Sequence, residues 1–171
     1  YMKRYSFETK ALVGFEKSGH FFFNPPLGQG YDDGLVAALA VCDMLDRAPD
    51  KSLADLKKAL PKTWQSPTMA PHCPDEKKYE VVGRVVEHYQ KLRAEGGTVA
   101  GQKIADLITV NGIRVVLEDG TWGLVRASSN KPELVVVVES PTSEANMRAI
   151  FADIDGVLSK MPEVGEYNQK I

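Results

Sequence analysis

Between residues 107 and 138 the chain repeats one short pattern: an apolar run, a turn dipeptide, another apolar run. Residues 107–110 are followed by Asn111-Gly112, residues 113–117 by Asp119-Gly120, and residues 121–126 by a polar stretch, 127–132. The aliphatic run 134–138 comes next. Asn-Gly and Asp-Gly between β-prone runs favour tight hairpins, because these residues tolerate the left-handed backbone that such turns need. Consecutive hairpins build an antiparallel meander, and the run 134–138, which lacks polar alternation, reads as a strand buried on both faces. Helical patterns flank the meander. Tyr79, Val82, Val86, Tyr89 and Leu92 are spaced for one buried helix face, ended by Gly96-Gly97. After the meander, Thr142 or Ser143 caps a helix with Met147, Ile150, Phe151, Ile154, Val157 and Leu158 on one side. Helix, meander, helix makes residues 76–171 a small α+β domain, with an antiparallel sheet flanked by helices.

The preceding stretch is organised differently. Residues 12–23 read as two short strands around Lys17-Ser18-Gly19, and a loop with Pro25, Pro26, Gly28 and Gly30 follows. Leu35, Ala38, Leu39, Cys42 and Leu45 then keep helical spacing, with Asp32 or Asp33 as N-cap. A short helix starts at Ser52, paired with Asp55 in a capping box, and stops at Pro61. Residues 64–75 carry Pro67, Pro71 and Pro74 and are expected to form an extended linker between residues 1–63 and the domain 76–171.

Charge narrows the function classes. Lys and Arg number 21 against 23 Asp and Glu, a net charge of −2, which leaves no electrostatic footprint for nucleic acid or an anionic membrane. No apolar run approaches the ~18 residues a membrane span needs. Cys42 and Cys73 lack C-x-x-C spacing and read as reduced thiols of a cytoplasmic protein. The chain opens on Tyr1 with no apolar leader, as a piece of a longer protein would. His20, His72 and His88 share no ligand spacing with Cys or acidic residues, so no metal site is expected. The stretch Gly28-Gln29-Gly30-Tyr31-Asp32-Asp33-Gly34 is one residue too long for a dinucleotide fingerprint. It also places two carboxylates where a pyrophosphate would sit.

Two polar constellations remain. Arg126-Ala127-Ser128-Ser129-Asn130-Lys131-Pro132 packs a guanidinium, two hydroxyls, an amide and an ammonium between two strands. These are the donors that bind phosphate, although Ser, Asn and Pro are also ordinary turn residues. Glu16, Ser18 and His20 share parity, so an extended segment would point them one way. A carboxylate, hydroxyl and imidazole on one face suit a polyhydroxylated ligand, and equally the polar side of an exposed hairpin. Phe21-Phe22-Phe23 and Trp122 are expected in core or turn packing.

In order and pairing, these two loops resemble the α-D-phosphohexomutases, in their phosphomannomutase/phosphoglucomutase branch. Gly14-Phe15-Glu16-Lys17-Ser18-Gly19-His20 followed by Tyr31-Asp32-Asp33-Gly34 is similar to the sugar loop of their third domain. The stretch from Gly123 to Leu134 is similar to the phosphate clamp of their fourth. The resemblance covers residues 1–63 as the end of domain three, a partial α/β remnant. It covers 76–171 as all of domain four, a sheet related to the saddle of TATA-binding proteins. It implies an intramolecular phosphotransferase of carbohydrate metabolism that interconverts hexose 1- and 6-phosphates, of mannose or glucose, through a bisphosphorylated sugar. Glu16 and Ser18 would bind sugar hydroxyls, and His20 would lie near the reacting centre as the catalytic candidate. Arg126, Ser128, Ser129 and Asn130 would hold the phosphate that is not transferred. The phosphoserine and the Mg²⁺ ligands would belong to N-terminal domains missing from this chain, so the fragment alone is expected to be inactive and to bind no cofactor. A free-standing phosphosugar-binding module is the alternative. A nucleic-acid-binding module fits the charge of −2 poorly.

Overall fold

The structure, a computed structural model, describes residues 2–16 and 19–171. It divides into two units, residues 1–60 and 61–171. In the first, helix α1 (Met2–Glu8) precedes the antiparallel ribbon of β1 (Val13–Phe15) and β2 (Phe21–Phe23), with Gly14 opposite Phe22. Helices α2 (Gly34–Asp46) and α3 (Leu53–Lys58) follow. Both caps form: Asp33, not Asp32, accepts from the Leu35 and Val36 amides, and Ser52 and Asp55 close their reciprocal box. Helix α1 is an addition to the expected elements, since it has no apolar period of its own.

The core of this unit is small. Phe22 is buried, and buried Asn24 donates through Nδ2 to the carbonyls of Ala11 (2.7 Å) and Ser6 (3.2 Å), tying the end of α1 to the ribbon. No residue of α2 is buried; Leu35 and Leu39, on the stripe picked out by spacing, are 71% and 60% exposed. Its half-buried positions are Val36, Ala37, Ala40 and Leu45. The helix is apolar nearly all round, so periodicity could not distinguish its faces.

The second unit is built on a six-stranded antiparallel sheet, in the order β3-β8-β7-β6-β5-β4. The strands are β3 (Trp64–Gln65), β4 (Thr98–Val99), β5 (Gln102–Ile108), β6 (Ile113–Leu117), β7 (Trp122–Ala127) and β8 (Leu134–Ser140). Helices α4 (Lys78–Ala94) and α5 (Glu144–Leu158) bury Val81, Val82, Val85, Tyr89, Met147, Ile150 and Ile154 in one core with Ile113, Val115, Leu117, Val125, Leu134, Val136 and Val138. Tyr89, wholly buried, donates its hydroxyl to Asp153 at 2.8 Å, and burial pushes its phenol far up. All six expected apolar positions of α5 are buried. On α4 the buried face is rotated from the expected one: Val81 and Val85 are fully buried while Tyr79 is 63% exposed.

Three further expectations change. The strand foreseen over residues 107–110 is β5, ending at Ile108, and the turn is longer than Asn111-Gly112 because Ile108 pairs with Arg114. Opposing Leu107 to Val115 keeps the inward set inward, and that requirement overrides the two-residue turn. Residues 64–75 are not a free linker. Ser66 N–H donates to the Val138 carbonyl (3.0 Å), Met69 exchanges both bonds with Val136, the Pro71 carbonyl accepts from Leu134, and Cys73 N–H donates to the Pro132 carbonyl (2.9 Å). The segment is an edge strand interrupted by prolines, a place in a sheet where a missing N–H is tolerated. Trp122, expected in core or turn packing, is half-buried on the sheet with the Arg114 guanidinium 4.3 Å over its ring. Cys42 is exposed, Cys73 buried, and burial raises the Cys73 thiol. Among the described residues no helix is long and apolar enough to cross a membrane.

Asp119 ties the β6–β7 turn to the start of α5. Its carboxylate accepts from the Thr121 amide (2.8 Å) and hydroxyl (2.9 Å), from Thr142 Oγ1 (2.7 Å) and from Asn146 Nδ2 (2.9 Å). Burial alone would raise its pKa, but these donors together hold it well below the usual carboxylate range. A depressed folded-state pKa contributes stability that is complete above the unfolded value of ~3.9 and is lost as pH falls through the folded one. Asp119→Asn should therefore destabilise the second unit by roughly 1.5–3 kcal/mol at pH 7. The difference from wild type should shrink below about pH 4 in urea titrations; a pH-independent difference would refute the charged network.

Candidate functional site

The two constellations lie in different units and are described separately. In the first, the chain reverses between Phe15 and Phe21 instead of staying extended. Gly19 sits at φ +88°, its N–H donating to the Glu16 carbonyl (3.0 Å), while Glu16 N–H donates to the His20 carbonyl (2.9 Å). Only a residue without Cβ adopts that φ at little cost. Glu16 and His20 thus continue the register from Phe15↔Phe21 and face each other across the ribbon. They share a face as cross-strand neighbours, not as alternate positions of one strand. Ser18 and Lys17 lie outside the described residues.

His20 has a partner that sequence spacing assigns elsewhere. Its Nδ1 lies 2.5 Å from Asp32 Oδ2. An ionised carboxylate can only accept, so Nδ1 carries a proton and Nε2 is left as the atom able to take up or give one. Asp32 reaches His20 because its backbone bridges to Phe22 on β2, while Asp33 alone caps α2. The adjacent acids therefore do separate jobs, which their spacing to the helix start does not reveal.

In the second unit, the loop 128–133 joins β7 to β8. Arg126, the penultimate residue of β7, is half-buried and donates from Nη1 to the Ala127 carbonyl at 3.0 Å, which orients its planar fork. Ser128 is 4% exposed; its N–H donates to the Glu133 carbonyl (3.0 Å) and its hydroxyl to Asn130 Oδ1 (3.2 Å). Ser129, Asn130 and Lys131 are exposed. The loop thus has a buried serine beneath an exposed tip, and that serine fixes which end of the Asn130 amide faces outward. Arg126, Ser129, Asn130 and Lys131 together offer guanidinium, hydroxyl, amide and ammonium donors with no acid side chain between them.

Gly112 supports this arrangement from the neighbouring turn. At φ +96° it lies so close to β7 that a Cβ there would stand 2.3 Å from the Val125 carbonyl oxygen and 2.8 Å from Arg126 Cα. Among the described residues no three His, Cys, Asp or Glu side chains gather as metal ligands.

Two family models match almost end to end. One, phosphoglucomutase/phosphomannomutase, alpha/beta/alpha domain III, matches residues 1–64; the other, phosphoglucomutase/phosphomannomutase, C-terminal domain, matches residues 72–157. The chain belongs to the phosphoglucomutase/phosphomannomutase family. It is 33% identical over 138 residues to a phosphoglucomutase of Neisseria gonorrhoeae, covering 81% of this chain and 27% of that protein. To a phosphomannomutase/phosphoglucomutase of Pseudomonas putida it is 31% identical over 143 residues, 84% of this chain and 28% of the relative. A phosphopentomutase of Thermococcus kodakarensis is 33% identical over 122 residues, 71% and 24% of the two lengths. A crystal structure of a phosphoglucomutase/phosphomannomutase family protein from Burkholderia thailandensis superposes with a TM-score of 0.69 at 28% identity, over 95% of this chain and 31% of that one. The chain spans about a quarter to a third of the length of these relatives. The mixed α+β architecture, with its small antiparallel sheet flanked by helices, is that of the family.

Two expected outcomes test the local geometry. Gly112→Ala combines a disfavoured φ with a backbone collision, so it should cost at least about 1 kcal/mol and move the amide resonances of residues 125–127. A variant with wild-type stability and spectrum would show that the turn does not brace Arg126. Asp32→Asn should redistribute the proton between the ring nitrogens of His20, read from imidazole ¹⁵N shifts; an unchanged ring would separate the two residues functionally.

Proposed function

We propose that this chain is the sugar-reading and phosphate-holding portion of a hexose-phosphate mutase, the type of enzyme that moves a phosphoryl group between the 1- and 6-positions through a bisphosphorylated sugar. The observation that carries the reading is the loop around Arg126, where donors for a phosphate dianion stand on a backbone hydrogen-bonded to its neighbours on both sides. Family membership supports the substrate class, since relatives carry the names phosphoglucomutase and phosphomannomutase.

Each residue then has a task set by its chemistry. Arg126 offers parallel N–H donors to two phosphate oxygens, the geometry its fixed fork matches best. Ser129 and Asn130 add short donors from the exposed tip, and Ser128 contributes from beneath by orienting Asn130. In the first unit Glu16 accepts hydrogen bonds from sugar hydroxyls, and the hydroxyl of Ser18 is the second group assigned to them. His20, its Nδ1 held by Asp32, presents Nε2 to take up or deliver a proton near the reacting end. Binding the phosphate that does not react supplies energy that orients the end that does. A clamp that reads phosphate and a carboxylate that reads paired hydroxyls tolerate both orientations of the sugar. The phosphoserine and Mg²⁺ of the complete enzyme would supply the phosphoryl group and neutralise its charge. They would lie on other domains of the parent protein, and this chain by itself would transfer no phosphoryl group.

Glucose 6-phosphate and mannose 6-phosphate should shift the amide resonances of residues 126–131, whereas glucose should not; equal shifts with all three would refute the clamp. Arg126→Ala should weaken phosphosugar binding by roughly 1.5–3 kcal/mol, the range for a hydrogen bond to a charged group, with the fold intact by circular dichroism.

A further inference from the structure

Among the described residues, Lys78 is the only charged side chain as buried as the core, at 4% exposure. Its position makes this unexpected. It occupies the first turn of α4, where the helix dipole disfavours a cation, and burying an ammonium costs several kcal/mol unless partners replace its water. A lysine there could extend into solvent. Instead its Nζ donates to Asp75 Oδ1 at 2.6 Å and to the backbone carbonyl of Lys131 at 3.1 Å.

The second contact reaches into the loop that follows Arg126. Residues 132 and 134 are held by backbone bonds to Cys73 and Pro71, and Ser128 by a bond to Glu133. Within the tip, residues 129–131, the bond from Lys78 is the only hydrogen bond from outside the loop among the described residues. The Lys131 carbonyl also accepts from the Glu133 N–H (2.9 Å), so two donors fix that peptide plane. Fixing it restricts the backbone on which Ser129 and Asn130 stand. The ammonium also adds positive charge from behind a site that would hold a dianion, where partial burial reduces screening by salt.

We infer that Lys78 is a positioning residue for the phosphate-holding loop: it keeps the tip 129–131 in its anion-accepting conformation through the Lys131 carbonyl. This rests on the loop being a phosphate site, as proposed above. Asp75 is the counter-ion that makes the buried ammonium tolerable, and it lies on the side of Lys78 away from the loop in sequence, in the turn that opens α4.

The test uses the full chain, ¹⁵N-labelled and titrated with inorganic phosphate and with glucose 6-phosphate. Wild type should show saturable shifts at residues 126–131. Lys78→Met should weaken both ligands by about tenfold, the equivalent of one charge-assisted hydrogen bond, while amide-exchange protection in β6 and α5 stays at the wild-type level. Lys78→Gln, which keeps an N–H for the Lys131 carbonyl without the charge, should recover some of the loss. Wild-type affinity in Lys78→Met would overturn the inference. So would a loss matched by lowered protection throughout β6 and α5, because Lys78 would then be a brace for the fold and nothing more. No response of the wild-type loop to either ligand would overturn the phosphate reading itself, and this inference with it.

Discussion

Strand β8 is hydrogen-bonded along both edges, and the rest of the second unit depends on that. On one side it pairs with β7 over Trp122↔Glu139 to Ala127↔Leu134; on the other lies the proline-interrupted segment from Trp64 to Cys73. A strand paired on one side only could shift in register or fray at its start. Pairing on both sides fixes Leu134, and with it the point where the polar loop must end. The loop's other end is fixed by Arg126, opposite Val135 on the same ladder. A short polar connection between two fixed points has few conformations left, so its donors would lose little freedom on binding the phosphate proposed above. That is the condition under which exposed serine and asparagine side chains contribute to affinity.

The first unit works under the opposite constraint. Its buried apolar content is little more than Phe22, and the Asn24 amide joins α1 to the ribbon through hydrogen bonds. Local hydrogen bonds do the positioning: Glu16 to His20 across the ribbon end, Asp32 to His20 Nδ1, and Asp33 to the start of α2. Such contacts set side-chain directions accurately over a few residues, but each is exposed and contributes little stability. The apolar faces of α2 accordingly remain largely open in this unit.

What could be read from the residues alone follows the same division. Elements set by local chemistry were legible: the Ser52–Asp55 box, the Ser143 cap, the six buried positions of α5 and the ribbon around Gly19. Elements set by distant partners were not. The prolines of residues 64–75 suggest a free linker because the edge of β8, more than sixty residues away, cannot be inferred from them. Asp32 and Asp33 look equivalent as caps until the bridge to Phe22 turns one of them toward His20. No pattern in the sequence distinguishes Lys78, a lysine that a later carbonyl buries, from the lysines around it. The loop residues themselves were visible as a composition, but their order of burial, Ser128 beneath and Asn130 outside, comes from the register of β7 and β8.

The distribution of charge completes the argument. With a net charge of −2 the chain has no general attraction for anions, so the phosphate affinity proposed for it must come from a local concentration of donors. Several acids of the second unit are already engaged by partners of their own. Asp119 is enclosed by two threonines and Asn146, Asp75 faces Lys78, and Glu139 accepts from Gln65. Among the described residues Arg126 has no such carboxylate partner, and the acceptor of its guanidinium is a backbone carbonyl. A guanidinium neutralised by an acid would have to exchange that partner for a phosphate at little net gain. One tethered to a carbonyl keeps its charge available while holding its orientation, as the role proposed for Arg126 requires.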